Sequence, residues 1–266
     1  MNFFNFLKNK KLANIEVDSE ELLYIQKDVL ESKSILKEVF KEFYDLCIKL
    51  DKEYFYKNNG PELEIGSGTS IFKKFYPEIL SSDIKFFKEL DIVINVQTMP
   101  LRDNSVHAFY GINIFHHLPY PEKFFSELIR TLKPGGGCIL IEPYFGLTAS
   151  IFYKHIFETE TFIKNQPSWN YPTEGPMKGA NQALSYIVFV RDKKKFDKLY
   201  PELEILYIKP LRNYLRYLLS GGLNFISLIP DFMVLPVKLL EFLLKPVETI
   251  LALHYIIVIR KRVYND

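Results

Sequence analysis

In the first sixty positions apolar residues recur at helical spacing: Leu22, Ile25, Val29, Leu36, Val39, Phe40, Phe43 and Cys47. Steps of three and four place them on one helix face. The pattern predicts helix from about Ser19 to Leu50, broken near Ser32 and Ser34. Asp18 with Glu21 reads as a capping box at its start, and Asn58-Asn59-Gly60-Pro61 reads as a stop. From Glu62 the rhythm changes. Strand-length apolar runs near 62–65, 79–83, 91–95, 106–112 and 137–142 alternate with helical patterns. One helix is expected after Thr69, ending before Pro77. Another opens at Pro119 to Pro121 and presents Phe124, Phe125, Leu128, Ile129 and Leu132 on one face. Such alternation predicts a parallel sheet with right-handed crossovers. Only Ile84 to Leu90 joins the second and third strands, too short a stretch for a full crossover helix.

After Pro143 the rhythm stops. Residues 143–190, with His155, Trp169, Gly175 and Gly179, read as an insertion over the sheet's carboxyl edge. A helix near 191–200, a strand near 203–208 and a last strand near 253–260 follow. The run Tyr255-Ile256-Ile257-Val258-Ile259 fits antiparallel pairing. The expected fold is α/β: a Rossmann-like doubly wound sheet, mostly parallel with an antiparallel last strand. A helical extension is expected over residues 1–60. The main domain covers 61–266, with helical insertions at 143–190 (lid and acceptor region) and 210–250. In the latter, Leu235, Leu239, Leu240, Phe242, Leu243, Leu244 and Val247 suggest an amphipathic helix. Lys238, Glu241, Lys245 and Glu248 interrupt any run long enough to span a bilayer. Three readings remain for this segment: an extra core layer, ranked first, a dimer face, or a surface resting on a membrane.

Composition narrows the function classes. Of 266 residues, 48% are hydrophobic and 25% charged, an ordinary globular balance that excludes a disordered chain. The net charge is +2, with basic residues spread along the chain, so no footprint for nucleic acid is present. Cys47 and Cys138 have neither metal-ligand nor redox spacing and sit in apolar runs, which reads as core thiols. No metal site is expected. Phe3, Phe4, Phe6 and Leu7 are too few for a signal core, and Lys8, Lys10 and Lys11 follow them instead of preceding them. The expectation is a cytoplasmic monomer or homodimer, with surface contact to a membrane through 210–250 as the third reading above.

The richest stretch is Leu63-Glu64-Ile65-Gly66-Ser67-Gly68-Thr69-Ser70, a short strand running into a glycine turn and then a helix. Glycine lets a ligand approach the main chain, and open parallel sheets bind ligands beyond the carboxyl ends of their strands. A dinucleotide loop would carry a third glycine at position 71, where Ile71 stands. No lysine is placed as in a nucleoside-triphosphate loop. The pair suits a ribose with an amino-acid tail better than a pyrophosphate. Asp83, fifteen residues past Gly68 at the end of the second strand, can accept from both ribose hydroxyls; taken alone it is equally a turn aspartate.

With these pieces, the segment Met99-Pro100-Leu101-Arg102-Asp103-Asn104-Ser105, the run Asn113-Ile114-Phe115-His116-His117-Leu118, and the Lys133 to Gly137 turn after Arg130, the chain resembles a class I S-adenosylmethionine-dependent methyltransferase. The likeness is to the type 11 group, which includes quinone-biosynthesis-type enzymes, and covers roughly residues 60–143. It implies S-adenosylmethionine as cofactor and these roles. Glu64 lies near the methionine amino group. Gly66, Ser67, Gly68 and Thr69 form the loop passing the methionine and ribose. Asp83 with Ile84 holds the ribose, Asn95 and Val96 flank the adenine, and Asn113 contributes backbone near the amino-acid tail. Two departures stand out: Ser70 replaces the usual third loop glycine, and Asn95 the usual aspartate. They keep open a second reading, a cofactor-binding module without catalysis.

Methyl transfer from a sulfonium needs alignment above all, and a general base only where the acceptor must lose a proton. His116 and His117 stand where such a base would be, although capping and packing beneath the cofactor is the favoured reading. His155, with Glu158 or Glu160, is a further candidate base. Glu142, Tyr144, His155 and Trp169 are candidate acceptor contacts, and Trp169 and Tyr171 serve equally as loop anchors. The acceptor is expected to be a small molecule, a sugar or a lipid-linked precursor.

Overall fold

The computed structural model describes residues 7–12, 15–16, 18–157, 160–171, 175 and 179–264. Two helices, α1 (Glu20–Ser32) and α2 (Ser34–Tyr54), precede the sheet. The cap of α1 is Ser19, whose hydroxyl accepts from Leu22 N, and not the expected Asp18. The break between the helices falls at Lys33, for a tertiary reason. Its buried ammonium donates to the carbonyls of Ser220, Gly222 and Phe225, locking the N-terminal helices onto the C-terminal segment. Burial lowers this ammonium to about 8.

The sheet follows: β1 (Glu62–Ile65), α3 (Phe72–Phe75), β2 (Leu80–Asp83), β3 (Ile92–Val93), β4 (Val106–Ile112), α4 (Pro121–Thr131) and β5 (Leu132–Pro143). As the spacing demanded, no helix joins β2 to β3. Pro121 sits in the first turn of α4, where its missing N–H costs nothing. The fifth strand begins earlier than expected. Val106 pairs with Leu132 and Ala108 with Gly137, so Lys133 to Gly136 bulge out of the ladder instead of preceding it. Then come α5 (Leu147–His155), α6 (Leu184–Tyr186), which continues into a π-turn, α7 (Lys193–Leu199), β6 (Leu203–Pro210), α8 (Tyr214–Ser220), α9 (Val234–Leu243), α10 (Glu248–Leu251) and β7 (His254–Lys261).

Strand order is β3-β2-β1-β4-β5-β7-β6. The strands β3 to β5 run parallel, and β7 inserts antiparallel between β5 and β6. This is the mostly parallel, Rossmann-like sheet with an antiparallel last strand. Alternate residues feed two cores. Phe109, Cys138, Leu140, Tyr255 and Ile257 face α4 and the insertion. Ala108, Tyr110, Ile139, Ile256 and Val258 face α2, where Cys47 is buried. Both cysteines are free and buried, as core thiols should be.

The apolar C-terminal segment forms the core layer ranked first for it only in part: Leu211, Tyr214 and Leu218 pack into the cores, but α9 does not follow them. On α9 the apolar side chains Leu235, Leu239, Phe242 and Leu243 are exposed, while Glu241 is buried against Arg216. No helix among the described residues is long and apolar enough to cross a membrane.

Candidate active site

Strand order reverses between β1 and β4, and the crevice beyond their carboxyl ends is where an open parallel sheet admits a ligand. The loop after β1 is shaped for it. Gly66 and Gly68 both have left-handed φ, +65° and +49°. A Cβ on Gly66 would strike Ile114, whereas one on Gly68 would meet nothing within 4 Å. Gly68 therefore walls an open berth. Ser70, in the place of the third glycine, has φ 55°: serine adopts the left-handed turn at some cost and the loop keeps its path.

Asp83 closes one side. Its carboxylate accepts from Gly68 N and from Lys85 N, each at 2.9 Å. This lashes the tip of β2 to the loop after β1. The Ser67 hydroxyl donates to Glu64 O and accepts from Ser82 N, so that side chain holds the turn together. Glu64 is buried, and its Oε2 has no hydrogen-bond partner among the described residues. Burial, reinforced by the negative Asp83, raises its carboxyl to about 8. Asn113, after β4, has φ 54° and a buried Oδ1 without a partner among the described residues. Orphaned buried oxygens are uncommon, and two of them aimed at one crevice mark a place for a donor-bearing ligand.

The crevice has two lobes sharing Gln26, Gly66, Gly68, Asn113 and His117. One, of about 310 Å³, is lined by Asp83, Ile84, Asn95, Val96, Gln97 and Leu118 and roofed by Leu22 and Leu23 of α1. Asn95 Oδ1 accepts from Gln97 N. The other lobe, of about 220 Å³, is lined by Glu64, Ser67, Thr69, His116, Glu160 and Gln182, with aromatic walls from Tyr44, Phe152, Tyr153, Phe157 and Tyr217. Every sequence-predicted cofactor residue lines one lobe or the other. The N-terminal roof, Gln182, Tyr44, and His254 of β7 were not anticipated. They reach the crevice through tertiary packing, and their local sequence carries no signal for it.

A buried network underlies the second lobe. His116 Nδ1 lies 2.7 Å from Glu142 Oε2 and its Nε2 lies 3.1 Å from Glu160 Oε2. Glu142 also accepts from Ile114 N and Phe115 N. Burial alone would lower the His116 imidazole, but the two carboxylates outweigh it and raise it to about 10. Burial and the neighbouring His116 lower His117 to about 3. His117 Nε2 lies 3.7 Å from Glu160 Oε1, and its buried Nδ1 has no partner among the described residues. For Glu160, burial is overcome by the two histidines, which hold it at about 2.

Other candidates fall elsewhere. His155 stands exposed at the end of α5 and lines neither lobe, and Glu160 pairs with His116 instead of orienting it. Glu158 lies outside the described residues. Trp169 is fully buried, with Nε1 donating to Asp192 Oδ2 at 2.8 Å, which makes it an anchor rather than an acceptor contact. Tyr171 donates to His116 O. Tyr144 packs against Tyr255 and Phe145, and Glu142 is sealed beneath the histidine, so neither lines a lobe. A carboxylate anchoring a histidine ring has no sequence signature across a 26-residue gap.

Residues 63–140 match the model of a family described as "Methyltransferase domain". No curated protein matches the chain. Among solved structures, geranyl diphosphate C-methyltransferase from Streptomyces coelicolor A3(2), held with Mg²⁺, geranyl diphosphate and S-adenosyl-L-homocysteine, superposes with TM-score 0.50 at 14% identity, covering 96% of this chain and 88% of that one. A putative methyltransferase from Bacillus halodurans C-125 gives 0.43 at 15% identity, over 81% of this chain and 98% of that one. Phosphoethanolamine N-methyltransferase 2 from Haemonchus contortus gives 0.45 at 10%, over 90% of this chain but 60% of that one.

Proposed function

We infer that this chain, which carries a class I S-adenosylmethionine-dependent methyltransferase domain, moves the cofactor's methyl group onto a small-molecule acceptor seated in the lobe of the paired histidines. One observation carries the reading. An open berth at Gly68 stands between a carboxylate hydrogen-bonded to the loop, Asp83, and a buried carboxylate with an unpartnered oxygen, Glu64. The residues present fit the cofactor. Glu64 would take its ammonium group and Asp83 its ribose hydroxyls. Ile84, Val96 and Leu118 would face the adenine, Asn95 would meet its edge, and Asn113 would meet the amino-acid tail. Bound there, S-adenosylmethionine supplies an electrophilic methyl on a sulfonium whose departure leaves a neutral thioether.

What remains for the protein is alignment. Well-oriented reactants gain effective molarities of roughly 10⁵–10⁸ M. Leu22 and Leu23 over one lobe and the aromatic walls of the other exclude water and fix the line of approach. His116 keeps its proton between Glu142 and Glu160, so it orients and does not act as a base. His117 is neutral and, lowered to about 3, a weak base suited only to the strongly acidic proton that an acceptor hydroxyl carries once its oxygen has taken the methyl group. Calorimetry with S-adenosylhomocysteine, followed by incubation of the protein with methyl-deuterated S-adenosylmethionine and a total metabolite and lipid extract, tests the reading. Binding and a labelled product are expected. Binding with no labelled product would favour the non-catalytic module, and absence of binding would end both readings.

A further inference from the structure

A third cavity adjoins the acceptor lobe. It holds about 220 Å³ and is walled almost wholly by apolar groups: Leu7, Ile156, Leu218, Leu219, Phe225 and Ile226 among them. It shares Phe152, Phe157 and Tyr217 with the lobe of the histidine pair. The polar chemistry at His116, His117 and Glu160 therefore lies only three shared aromatic side chains away from an apolar slot. Neither the cofactor nor a compact polar acceptor has a use for such a slot.

The rim of the slot belongs to an inverted surface. Ile226 and Leu228 line it and are themselves 43% and 49% exposed. The chain then runs directly into Phe232, 78% exposed, and α9, where Leu235 is 74% and Phe242 64% exposed. The charged residues of that helix turn the other way. Lys238 pairs with Glu38 and Glu42 on α2, and Glu241, only 3% exposed, bonds Arg216 Nε at 2.7 Å. A helix bathed in water buries its apolar face and exposes its charges. This one does the reverse, as suits an outer face lying in an apolar medium. A second protein seated on the strip would cover the rim residues Ile226 and Leu228. A bilayer seated there would instead feed the slot.

Building on the methyl-transfer reading above, we propose that the acceptor is a membrane-borne amphiphile. The strip from Ile226 to Leu243 rests on the bilayer. The acceptor's hydrocarbon chain enters the slot past Ile226 and Leu228, and its polar head reaches the histidine pair.

Two measurements test this. The first is co-sedimentation with phosphatidylcholine vesicles. The native chain should partition to the vesicles, and Leu235→Glu/Phe242→Glu should weaken partitioning at least tenfold. Both replaced side chains are mostly exposed, so the variant should fold normally. The second uses cis-parinaric acid as a fluorescent chain, displaced by n-alkanols of increasing length. Displacing affinity should rise about fourfold per added methylene until the slot is full, and Ile226→Trp, which plugs the rim, should weaken it at least tenfold. Leu147→Trp, on an exposed site outside the slot and both lobes, should not. Throughout, S-adenosylhomocysteine affinity should be unchanged, because Leu235, Phe242 and Ile226 line neither lobe of the crevice. Failure of the native chain to sediment with vesicles, or a dimer that the double variant dissociates, would overturn the proposal. So would equal chain binding by native and Ile226→Trp protein. If S-adenosylhomocysteine itself does not bind, the methyl-transfer reading fails instead.

Discussion

Glu64 offers the sharpest handle on the cofactor site. Its carboxyl is buried, carries an unpartnered oxygen, and is raised to about 8 by burial and by the nearby charge of Asp83. At neutral pH the free protein therefore holds Glu64 mostly protonated. An ammonium group arriving at Oε2 requires the carboxylate, so binding must expel that proton. At pH 7 about 0.9 proton should leave per S-adenosylhomocysteine bound. Between pH 8 and pH 6 affinity should fall about fiftyfold, close to tenfold per unit at the acid end. The neighbours do not mimic this. His116 stays charged with its value near 10, while His117 near 3 and Glu160 near 2 stay unprotonated across that window. Calorimetry in buffers of different ionisation enthalpy measures the proton count directly. Glu64→Gln should bind more weakly at pH 8 and lose both the proton release and the pH dependence. The linkage also runs through folding. A carboxyl raised in the folded state gives stability that is complete below its unfolded value, 4.5, and is lost as pH rises through about 8. Each pH unit between those two values removes about 1.4 kcal/mol. The unliganded protein should thus lose stability over pH 4.5 to 8, and Glu64→Gln should flatten the curve. If the native chain binds with no proton release, or Glu64→Gln keeps the same pH profile, the ammonium does not sit at Glu64.

Other outcomes follow from the same geometry. Gly68→Ala should cost about 1–2 kcal/mol of stability for its left-handed φ yet block the berth, so thermal melts should show a folded protein and calorimetry no cofactor binding. Asp83→Ala should weaken S-adenosylhomocysteine by about 1–3 kcal/mol; unchanged affinity would place the ribose elsewhere. Glu142→Gln removes the carboxylate that charges His116 and accepts from Ile114 N and Phe115 N, so chemical denaturation should reveal a loss of about 3–5 kcal/mol. The His116 contribution is complete below about pH 6.5 in the native chain and fades as pH rises toward 10; in Glu142→Gln it should fade at lower pH.

Strands were legible in the sequence because each is a short apolar run closed by a turn, and the sheet buries both faces of β4, β5 and β7. The loop after β1 was legible because Gly66, Gly68 and Asp83 lie at fixed offsets dictated by strand, turn and strand. Features set by partners distant in sequence were not. The helix break falls on Lys33 because carbonyls near 220 collect its ammonium, and nothing local names that residue. Glu160 was in view as a partner for His155 five residues away, yet the chain folds it back onto His116 and His117. Trp169 looked equally like an acceptor wall or an anchor until Asp192 met its indole nitrogen. On α9 the apolar spacing read as helix, correctly, but spacing says nothing about which face turns outward. The buried bond between Arg216 and Glu241 decides that.

The most direct test is a crystal structure of the chain with S-adenosylhomocysteine. The nucleoside should lie beside Gly68, with its ribose hydroxyls on the Asp83 carboxylate and its amino group within hydrogen-bond reach of Glu64 Oε2. The ligand lodged elsewhere, or a crevice closed between Asp83 and Glu64, would contradict this placement.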